Sequence, residues 1–260
     1  MRLTFHNPGE DYMVSSVLEF QTEGETALWS DAVYYFYPEI DQEKAKALPH
    51  SQRAAYISQH IRDKYRELLP VLEEKLPLYT QHWQAHQGQI AAALSEAFEL
   101  NADELFNDLR CNISLNPVSP RYLREKYFEV FYLNSQRGAL GIAIHEIIHF
   151  FWFHVWQQEF GSHPDTWERP HLPWILSEMA VEAIMSDERL SSINPYYPRE
   201  NGGCVYPYFQ NMVIDGTPIL DTLAGMYKQP IRGFMREAYA YCQRHEAAIR
   251  RHIEEEEKTF

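Results

Sequence analysis

Two histidines and a glutamate in the middle of the chain have the types and the spacing of a metal site. His145 and His149 are four residues apart, and Glu146 directly follows the first of them, in a stretch (138–157) that is otherwise almost wholly apolar. On a helix, side chains four residues apart lie about 40° apart around the axis, so both imidazoles leave the same face one turn apart. His145 and His149 can therefore share one tetrahedral ion.

Glu146 is predicted to act on water rather than to bind the ion. It lies about 100° around the helix from His145, from where a carboxylate can take the proton of a water that the ion activates. This is the general base of a zinc hydrolase. The alternative is a chance match of the pattern in a core helix. Burial disfavours it, because three ionisable side chains in so apolar a helix cost about 2 kcal/mol or more each unless they are paired. A zinc ion supplies that pairing.

A catalytic zinc ion needs a third protein ligand and one open position, and segment 173–186 is the best source of that ligand. Pro173 is typical of a first helical turn, and the segment is apolar on nearly every side. Glu178 and Glu182 interrupt it four residues apart and thus share a face. We predict that Glu178 binds the ion and that Glu182 bonds the far nitrogen of one of the two histidines, fixing its tautomer. Alternatively, Glu182 is simply solvated at a helix edge.

These residues resemble the gluzincin metallopeptidases, the thermolysin-like and aminopeptidase-like group. The second helix of that family typically reads Trp-x-x-(Asn)-Glu-Gly-x-Ala-Glu, and Trp174, Glu178 and Glu182 occupy the matching positions here. Ser177 replaces the usual asparagine and Met179 the usual glycine, and the upstream Gly-Ala-Met-Glu-Asn exopeptidase signature is missing. The resemblance extends over about 50 of the 260 residues. The resemblance therefore supports a prediction of the chemistry better than a prediction of the substrate.

The resemblance implies zinc as the cofactor, one ion per chain, with His145, His149 and Glu178 as ligands and Glu146 as the base. Glu182 matches the acidic position four residues after the ligand. The implied fold is α+β and predominantly helical, a zincin-like catalytic core with a small sheet beside the metal helix and additional helices. In this family a tyrosine or histidine across the cleft usually stabilises the oxyanion. The candidates for this role are Tyr206, Tyr208, Tyr239, His171 and His163.

Other zinc patterns fit the sequence less well. Metzincins need glycine and histidine at the third and sixth positions after the motif, where this chain has tryptophan and valine. His154 points to the opposite helix face from His145 and is predicted to be a core or cleft histidine. Glu168 has a spacing seen in aminopeptidase-like gluzincins, but its surroundings are typical of a loop. Asp215 stands at the wrong distance from Asp221 for the aspartate-ligand zincins.

Length and composition predict a substantial core. At 260 residues and 45% hydrophobic content, the chain forms either one continuous domain or a mainly helical N-terminal region, 1–109, packed on a catalytic region, 110–260. The net charge of −14 disfavours nucleic acid as a partner, because no basic stripe is present to neutralise phosphates. A peptide or protein substrate is expected instead.

The expected compartment is the cytoplasm. The first residues lack the apolar core of a signal peptide. Cys111, Cys204 and Cys242 are odd in number and widely spaced, so no disulfide framework is evident. Stretch 138–157 is long and apolar enough to suggest a membrane span, but such a span would not contain four ionisable side chains without strong cause. We therefore expect no membrane association.

The elements around the motif are predicted from hydrophobic patterns. Segments 111–115 and 127–133 have the aromatic and β-branched content of strands. In gluzincins the strand resembling the second one borders the cleft and pairs with the substrate, so 127–133 is a candidate edge strand. The alternative is an interior strand. The aromatic cluster 27–37 fits either a helix or a buried strand.

Helices are predicted in the rest of the chain, separated by loops. Residues 50–109 have a helical pattern, with Ser51 and Asn101 as capping residues. The last helix, 231–252, has a core stripe and is followed by a frayed acidic tail. The stripe consists of Phe234, Ala238, Tyr241 and Ile249. Segments 159–172 and 186–208 are predicted to be irregular.

The predicted function is zinc-dependent peptide hydrolysis. Two alternatives stay open: a catalytically silent zinc- and peptide-binding protein of the same fold, and a zinc hydrolase of a non-peptide amide. The second stays open because the motif specifies an activated water and says nothing of the acyl group. Glu146 favours an enzyme, because a structural zinc site usually fills its fourth position with cysteine or histidine.

Overall fold

A computed structural model of the chain describes residues 1–23, 25–195, 199, 203–228 and 230–259. The chain forms two compact units, each built from separated stretches of sequence. The first unit comprises Met1, 85–107 and 140–256, and the second comprises 2–84, 108–139 and residues from 257 onward. The division into 1–109 and 110–260 stays a prediction. The polypeptide passes from one unit to the other after residues 84 and 139. Both positions lie inside helices, where the sequence has no boundary signal.

The second unit contains a four-stranded mixed sheet. Its strands are β1 (Leu3–His6), β2 (Leu109–Ser114), β3 (Arg121–Tyr122) and β4 (Tyr127–Phe131). The strand order is β1-β2-β4-β3, with β1 and β4 parallel to β2 and with β3 antiparallel to β4. The register sets Cys111 opposite Phe5 on one side and Phe128 on the other, and all three are buried. The two predicted strands and the α+β class are confirmed.

The prediction that 127–133 is an edge strand is wrong. β4 pairs with β2 along one side and with Arg121 and Tyr122 of β3 along the other. Next to that short pairing, the backbone N–H of Glu129 donates to the carbonyl oxygen of Pro120 over 2.9 Å. A substrate cannot add to a strand whose two sides are paired, so the interior alternative is the correct one.

Short helices hold the aromatic cluster of the second unit against its sheet. They are α1 (Glu10–Glu19), α2 (Ala27–Ser30), α3 (Ala32–Phe36) and α4 (Gln42–Ala47). The cluster 27–37 is therefore helical. The ring of Phe36 lies 4.8 Å from that of Phe131 in β4, and the hydroxyl of Tyr37 donates to the carbonyl of Leu115 over 2.6 Å. Aromatic packing and the satisfied hydroxyl explain this cluster without a ligand.

The helix α5 (His50–Phe98) is continuous over 49 residues although Pro70 and Pro77 lie inside it. Its first part belongs to the second unit and its last part, from residue 85, to the first. The helix begins at His50, so Ser51, predicted as its cap, lies within the first turn. Asn101 does cap the next helix, α6 (Ala102–Leu105), by accepting two backbone N–H groups.

The first unit contains the helices on which the metal motif lies. They are the end of α5, α6, α7 (Gln136–Phe160), α8 (Leu172–Met185), α9 (Glu188–Ser191), α10 (Pro207–Gln210), α11 (Ile219–Met226) and α12 (Ile231–Glu257). Asp215 and Gly216, both with positive φ, form the turn of a small hairpin between β5 (Val213–Ile214) and β6 (Thr217–Pro218). Segment 186–208 contains two short helices, and residues 196–198 and 200–202 of it lie outside the described residues.

Aromatic side chains form the core of the first unit. Phe151 of α7 packs on Phe98 with ring centroids 5.3 Å apart, and Trp152 packs on Phe234 of α12 at 5.9 Å. The predicted stripe of α12 is buried as expected. The helix itself continues to Glu257, so the acidic end predicted to be frayed is helical. By length and composition alone, α7 is long and apolar enough to cross a membrane. The apolar 18-residue stretch that meets this criterion is 83% buried within the protein.

Glu129, in the second unit, is a buried carboxylate at the centre of a polar network. Its Oε1 accepts hydrogen bonds from the hydroxyls of Tyr12 and Ser16, both over 2.7 Å. Asn116 donates in turn to the hydroxyl of Ser16 over 2.9 Å. Burial raises the pKa of Glu129 to about 7, and the hydrogen bonds from Ser114, Tyr12 and Ser16 lower it only in part.

This raised pKa predicts that the second unit is less stable at alkaline pH. The folded state retains a proton on Glu129 that the unfolded chain releases near 4.5. The free energy of unfolding that protonated Glu129 contributes is thus fully present below pH 4.5 and is lost as the pH rises through about 7. Urea denaturation of the wild type and of Glu129→Gln at pH 5 and 8 should show the difference between their unfolding free energies changing by about 2–3 kcal/mol.

Glu125→Gln is the control, because Glu125 is exposed on the turn before the same strand. It should keep the pH dependence of the wild type. Parallel pH profiles for the wild type and Glu129→Gln would contradict the prediction.

Candidate metal centre

The helices α7 and α8 bring the candidate ligands together. α7 begins after Ser135, whose hydroxyl oxygen accepts the N–H of Gly138 over 3.0 Å, and ends before Gly161, which has a φ of 61°. α8 begins after His171 with a proline in its first turn, as predicted, and every residue of it is buried. Glu146 and His149 of α7 are buried, as are Glu178 and Glu182 of α8.

The three predicted ligands lie within contact of one another. Nε2 of His145 and Nε2 of His149 are 3.2 Å apart. Glu178 faces both imidazoles, with Oε2 at 3.7 Å from Nε2 of His145 and Oε1 at 3.6 Å from Nε2 of His149. One carboxylate on α8 therefore reaches both imidazoles of α7.

These separations fit a tetrahedral zinc ion. Zinc bonds to histidine nitrogen are about 2.0–2.1 Å long, so tetrahedral geometry sets two ligand atoms about 3.3 Å apart. The two Nε2 atoms, at 3.2 Å, are already at that distance. The Glu178 carboxylate approaches each imidazole with a different oxygen, at 3.7 Å for His145 and 3.6 Å for His149. Two imidazoles and one carboxylate are also a donor set typical of catalytic zinc.

Glu146 lies beside this group. Its Oε1 is 3.9 Å from Nε2 of His145, and one ligand atom each from His145, Glu146 and His149 lie within 4.8 Å of one another. Its carboxylate is the second acid of the cluster, with a residue exposure of 7%. Glu146 thus contacts the cluster from the side, where a base acting on water would be needed.

The cluster is buried and negatively charged, which favours a cation within it. His149 is fully buried, and Glu178 is 1% exposed. Burial by itself lowers the pKa of His145, but hydrogen bonds with Cys204 and Glu178 and the charges of Glu146 and Glu178 outweigh it and raise that pKa to about 10. The same carboxylates attract either a proton or a metal ion, since a buried charge needs compensation.

Glu182, predicted to bond a histidine, forms an ion pair with Arg199. Nε of Arg199 donates to Oε1 and Oε2 of Glu182 over 2.9 and 3.1 Å, and Nη2 donates as well. Nη1 of Arg199 donates to Asp221 over 2.7 Å. These hydrogen bonds raise the pKa of Arg199, with that to Glu182 as the largest cause. A bond from Glu182 to a histidine stays a prediction.

Cys204 is a neighbour of the site that sequence reasoning missed. Cys204 is half-buried, and its side chain is one of the groups that raise the pKa of His145. The sequence analysis considered the cysteines for disulfides alone, and Cys204 is 59 positions from His145 along the chain. No periodicity or spacing links the two residues, so only the fold could reveal this influence on the pKa.

The five oxyanion candidates are in three different places. Tyr206 and Tyr208 stack on each other at 5.5 Å, and Tyr206 also lies 6.0 Å from the ring of Trp174 in α8. His171 and Tyr239 line an open cavity of about 430 Å³. The aromatic walls of this cavity include Trp156 and Phe160.

His163, the fifth candidate, stands apart from both groups. Its Nδ1 accepts the N–H of Asp165 at the start of a short 3₁₀ helix, Pro164–Trp167. Its side chain is 71% exposed. Two of the candidates thus adjoin the helix of Glu178: His171 directly precedes α8, and Tyr206 packs on Trp174 within it.

His154, set aside as a ligand, has neighbours of its own on α7. Its ring meets that of Phe106 edge-on at 6.0 Å, and its Nε2 is 2.9 Å from the amide nitrogen of Gln158. Burial lowers its pKa. These contacts agree with the prediction of a core or cleft histidine.

No protein-family model matches the sequence, and neither curated proteins nor solved structures provide a significant match. A functional assignment must therefore come from the site itself. The site consists of two histidines and two carboxylates, of which His145, Glu146 and His149 have ligand atoms close enough together to hold a metal ion.

Proposed function

We propose that the protein is a zinc-dependent peptidase of the gluzincin type. The observation that carries the proposal is the convergence of His145, His149 and Glu178 at 3.2 to 3.7 Å, with Glu146 beside them. A zincin-like core, cytoplasmic location and a peptide or protein substrate belong to the same proposal. It includes neither a nucleic acid nor a membrane as a partner.

Glu178 is the third ligand in this proposal, and Glu182 is not. The oxygens of Glu178 reach both imidazoles, whereas the carboxylate of Glu182 is occupied by the guanidinium of Arg199. Because a pair of this kind neutralises Glu182 and holds it in place, Glu182 can stiffen α8 one turn after the ligand. This supports the assignment of one carboxylate to the ion and one to Arg199.

Glu146 moves the proton in this reaction. A zinc ion, when bound, supplies a Lewis acid that polarises the carbonyl and makes water more acidic. The Glu146 carboxylate accepts a proton from the attacking water and later passes it to the leaving amine. Its burial supports this role, since a carboxylate with few water contacts holds a fixed position.

Tyr206 is the residue that we assign to the oxyanion. Trp174, whose ring it approaches, lies four residues before Glu178, so both project from one face of α8. A phenol hydroxyl at this place can donate to the oxygen that becomes negative as the carbonyl is attacked.

Tyr206→Phe is expected to lower kcat by about a hundred- to a thousandfold, the loss typical of one oxyanion donor. The ring and its packing remain, so zinc content and melting temperature should be unchanged. Steady-state kinetics on a cleaved peptide would measure the effect.

Tyr208→Phe is the matched control, because it removes a hydroxyl from the neighbouring ring, which is 1% exposed. We expect it to retain most of the activity. The reverse result, with Tyr208→Phe inactive and Tyr206→Phe active, would transfer the role to Tyr208.

The proposed function is tested with the zinc-loaded protein and a broad panel of internally quenched fluorogenic peptides. Cleavage that stops when zinc is removed with a chelator and returns when zinc is restored would support the peptidase. Binding of zinc with no cleavage of any peptide, but with turnover of simple amides, would favour the amide hydrolase. Zinc binding without either activity would favour the silent binding protein.

A further inference from the structure

An open cavity of about 430 Å³ lies between the end of α7, the start of α8 and one face of α12. Four residues of α12 line one side of it, at spacings of four, three and four along the chain: Tyr239, Gln243, Glu246 and Arg250. This spacing sets all four side chains on one face of the helix. A cavity of this size and mixed polarity is typical of a site for a small molecule.

Three aromatic rings form one wall of the cavity. They belong to Trp156 and Phe160 of α7 and to Tyr239 of α12, and their ring centroids are 4.2 to 5.3 Å apart. The planes of Trp156 and Tyr239 are inclined at 77°, close to the edge-to-face arrangement that aromatic pairs favour. The indole N–H of Trp156 donates to the hydroxyl of Ser162 over 2.8 Å. This aromatic wall is therefore preformed, and it offers a further ring the same kind of contact.

A pair of opposite charges lies on the α12 side of the cavity. Nε of Arg250 donates to Oε1 of Glu246 over 2.8 Å, and Nη1 of Arg250 donates to the carbonyl of Pro170 over 2.7 Å. The side chains of Arg250 and Glu246 are 36% and 40% exposed, so a ligand can reach both charges. A guanidinium has more N–H groups than these bonds use, so Arg250 can also bind a carboxylate.

The two charges restrict the ligands that fit. Because Glu246 and Arg250 lie side by side, a ligand with only one kind of charge meets a like charge as well as an opposite one. A zwitterion satisfies both. An α-amino acid has an ammonium and a carboxylate on one carbon, and side chains four residues apart on a helix have Cβ atoms about 5–6 Å apart. Among amino acids, the aromatic wall favours those with an aromatic side chain.

We propose that this cavity is a binding site for a free aromatic α-amino acid. The ring of the ligand packs against the aromatic wall, its carboxylate binds Arg250 and its ammonium binds Glu246. The inference goes beyond the proposed function and does not require the zinc ion. Trp156 lies seven residues after His149, which is about 10 Å along α7, so the ligand binds apart from the metal cluster.

Isothermal titration calorimetry of the full chain with L-phenylalanine tests the proposal. We expect a Kd of about 1 mM or tighter for the wild type. Phenylalanine amide lacks the carboxylate and N-acetylphenylalanine lacks the ammonium, so each should bind about tenfold or more weakly. Leucine, which lacks the aromatic ring, should also bind more weakly than L-phenylalanine. Absence of L-phenylalanine binding at millimolar concentration, or equal affinities for these four compounds, would overturn the site.

A charge variant locates the bound ligand. Arg250→Gln should weaken L-phenylalanine binding about tenfold or more, because the carboxylate of the ligand loses its partner. Arg251→Gln is the matched control, since it removes the same charge from the next residue, which is exposed and does not line the cavity. It should bind L-phenylalanine like the wild type, and circular dichroism checks that both variants are folded.

Equal binding of L-phenylalanine by Arg250→Gln and Arg251→Gln would place the ligand elsewhere, the metal centre included, and would overturn the inference. The proposed peptidase does not depend on this outcome, because its test is the zinc-dependent cleavage of peptides by the wild type. Loss of that cleavage with L-phenylalanine binding retained would overturn the peptidase alone.

Discussion

Replacing Glu146 with glutamine is expected to abolish peptide hydrolysis while zinc stays bound. The amide keeps the size and hydrogen-bonding capacity of the carboxylate but cannot accept the proton of the attacking water. Loss of a general base lowers kcat by about a hundred- to ten-thousandfold. The measurement is kcat on a cleaved fluorogenic peptide, with zinc content determined by plasma mass spectrometry on the same sample.

A glutamate further along the same helix provides the control. Glu159 of α7 forms ion pairs with Arg232 and Arg236 and is separate from the metal cluster. Glu159→Gln should keep wild-type activity. If Glu146→Gln hydrolysed peptides as fast as Glu159→Gln, Glu146 would not be the base, and the proposed mechanism would fail even with zinc bound.

Replacing Glu178 with alanine is expected to remove most of the bound zinc. The variant deletes one ligand from a buried group and leaves His145 and His149 alone. Changes in the outer partners of such ligands already lower metal affinity by about 10- to 100-fold, so loss of the ligand itself should exceed that range. Protein purified without added metal or chelator should contain one zinc per chain in the wild type and little in Glu178→Ala.

The variant Glu182→Gln tests which of the two carboxylates of α8 binds the ion. They stand four residues apart on one face, so the spacing alone cannot decide which of them binds the ion. Because Glu182 is paired with Arg199, Glu182→Gln should retain zinc, with a weaker effect on stability or affinity. Zinc lost in Glu182→Gln but kept in Glu178→Ala would reverse the assignment. Circular dichroism of both variants excludes unfolding as the cause.

Local rules predicted the elements that carry the motif, because these elements depend on short spacings. α7 and α8 are apolar on nearly every side, and helical periodicity set His145 and His149 on one face whatever their surroundings. The strands β2 and β4 and the core stripe of α12 follow from the same kind of pattern. The helical pattern also predicted the long helix α5, which continues through Pro70 and Pro77.

The edges of the sheet and the boundaries between the units could not be predicted in this way. The sequence of β4 does not indicate how many strands pair with it, and β3, which pairs with its outer side, is only two residues long. The polypeptide passes from one unit to the other inside α5 and α7, where the helical pattern continues without a break. Both features depend on contacts between residues far apart in the chain.

The sequence by itself predicted the chemistry of the candidate site: which residue types are present and on which helix faces they lie. Tertiary structure alone decided how the neighbours are arranged: that Glu178 faces both imidazoles and that Arg199 pairs with Glu182. The physical reason is the distance along the chain over which each kind of pattern relates residues. A helix repeats every 3.6 residues and so relates only near neighbours, whereas packing joins side chains that no period connects.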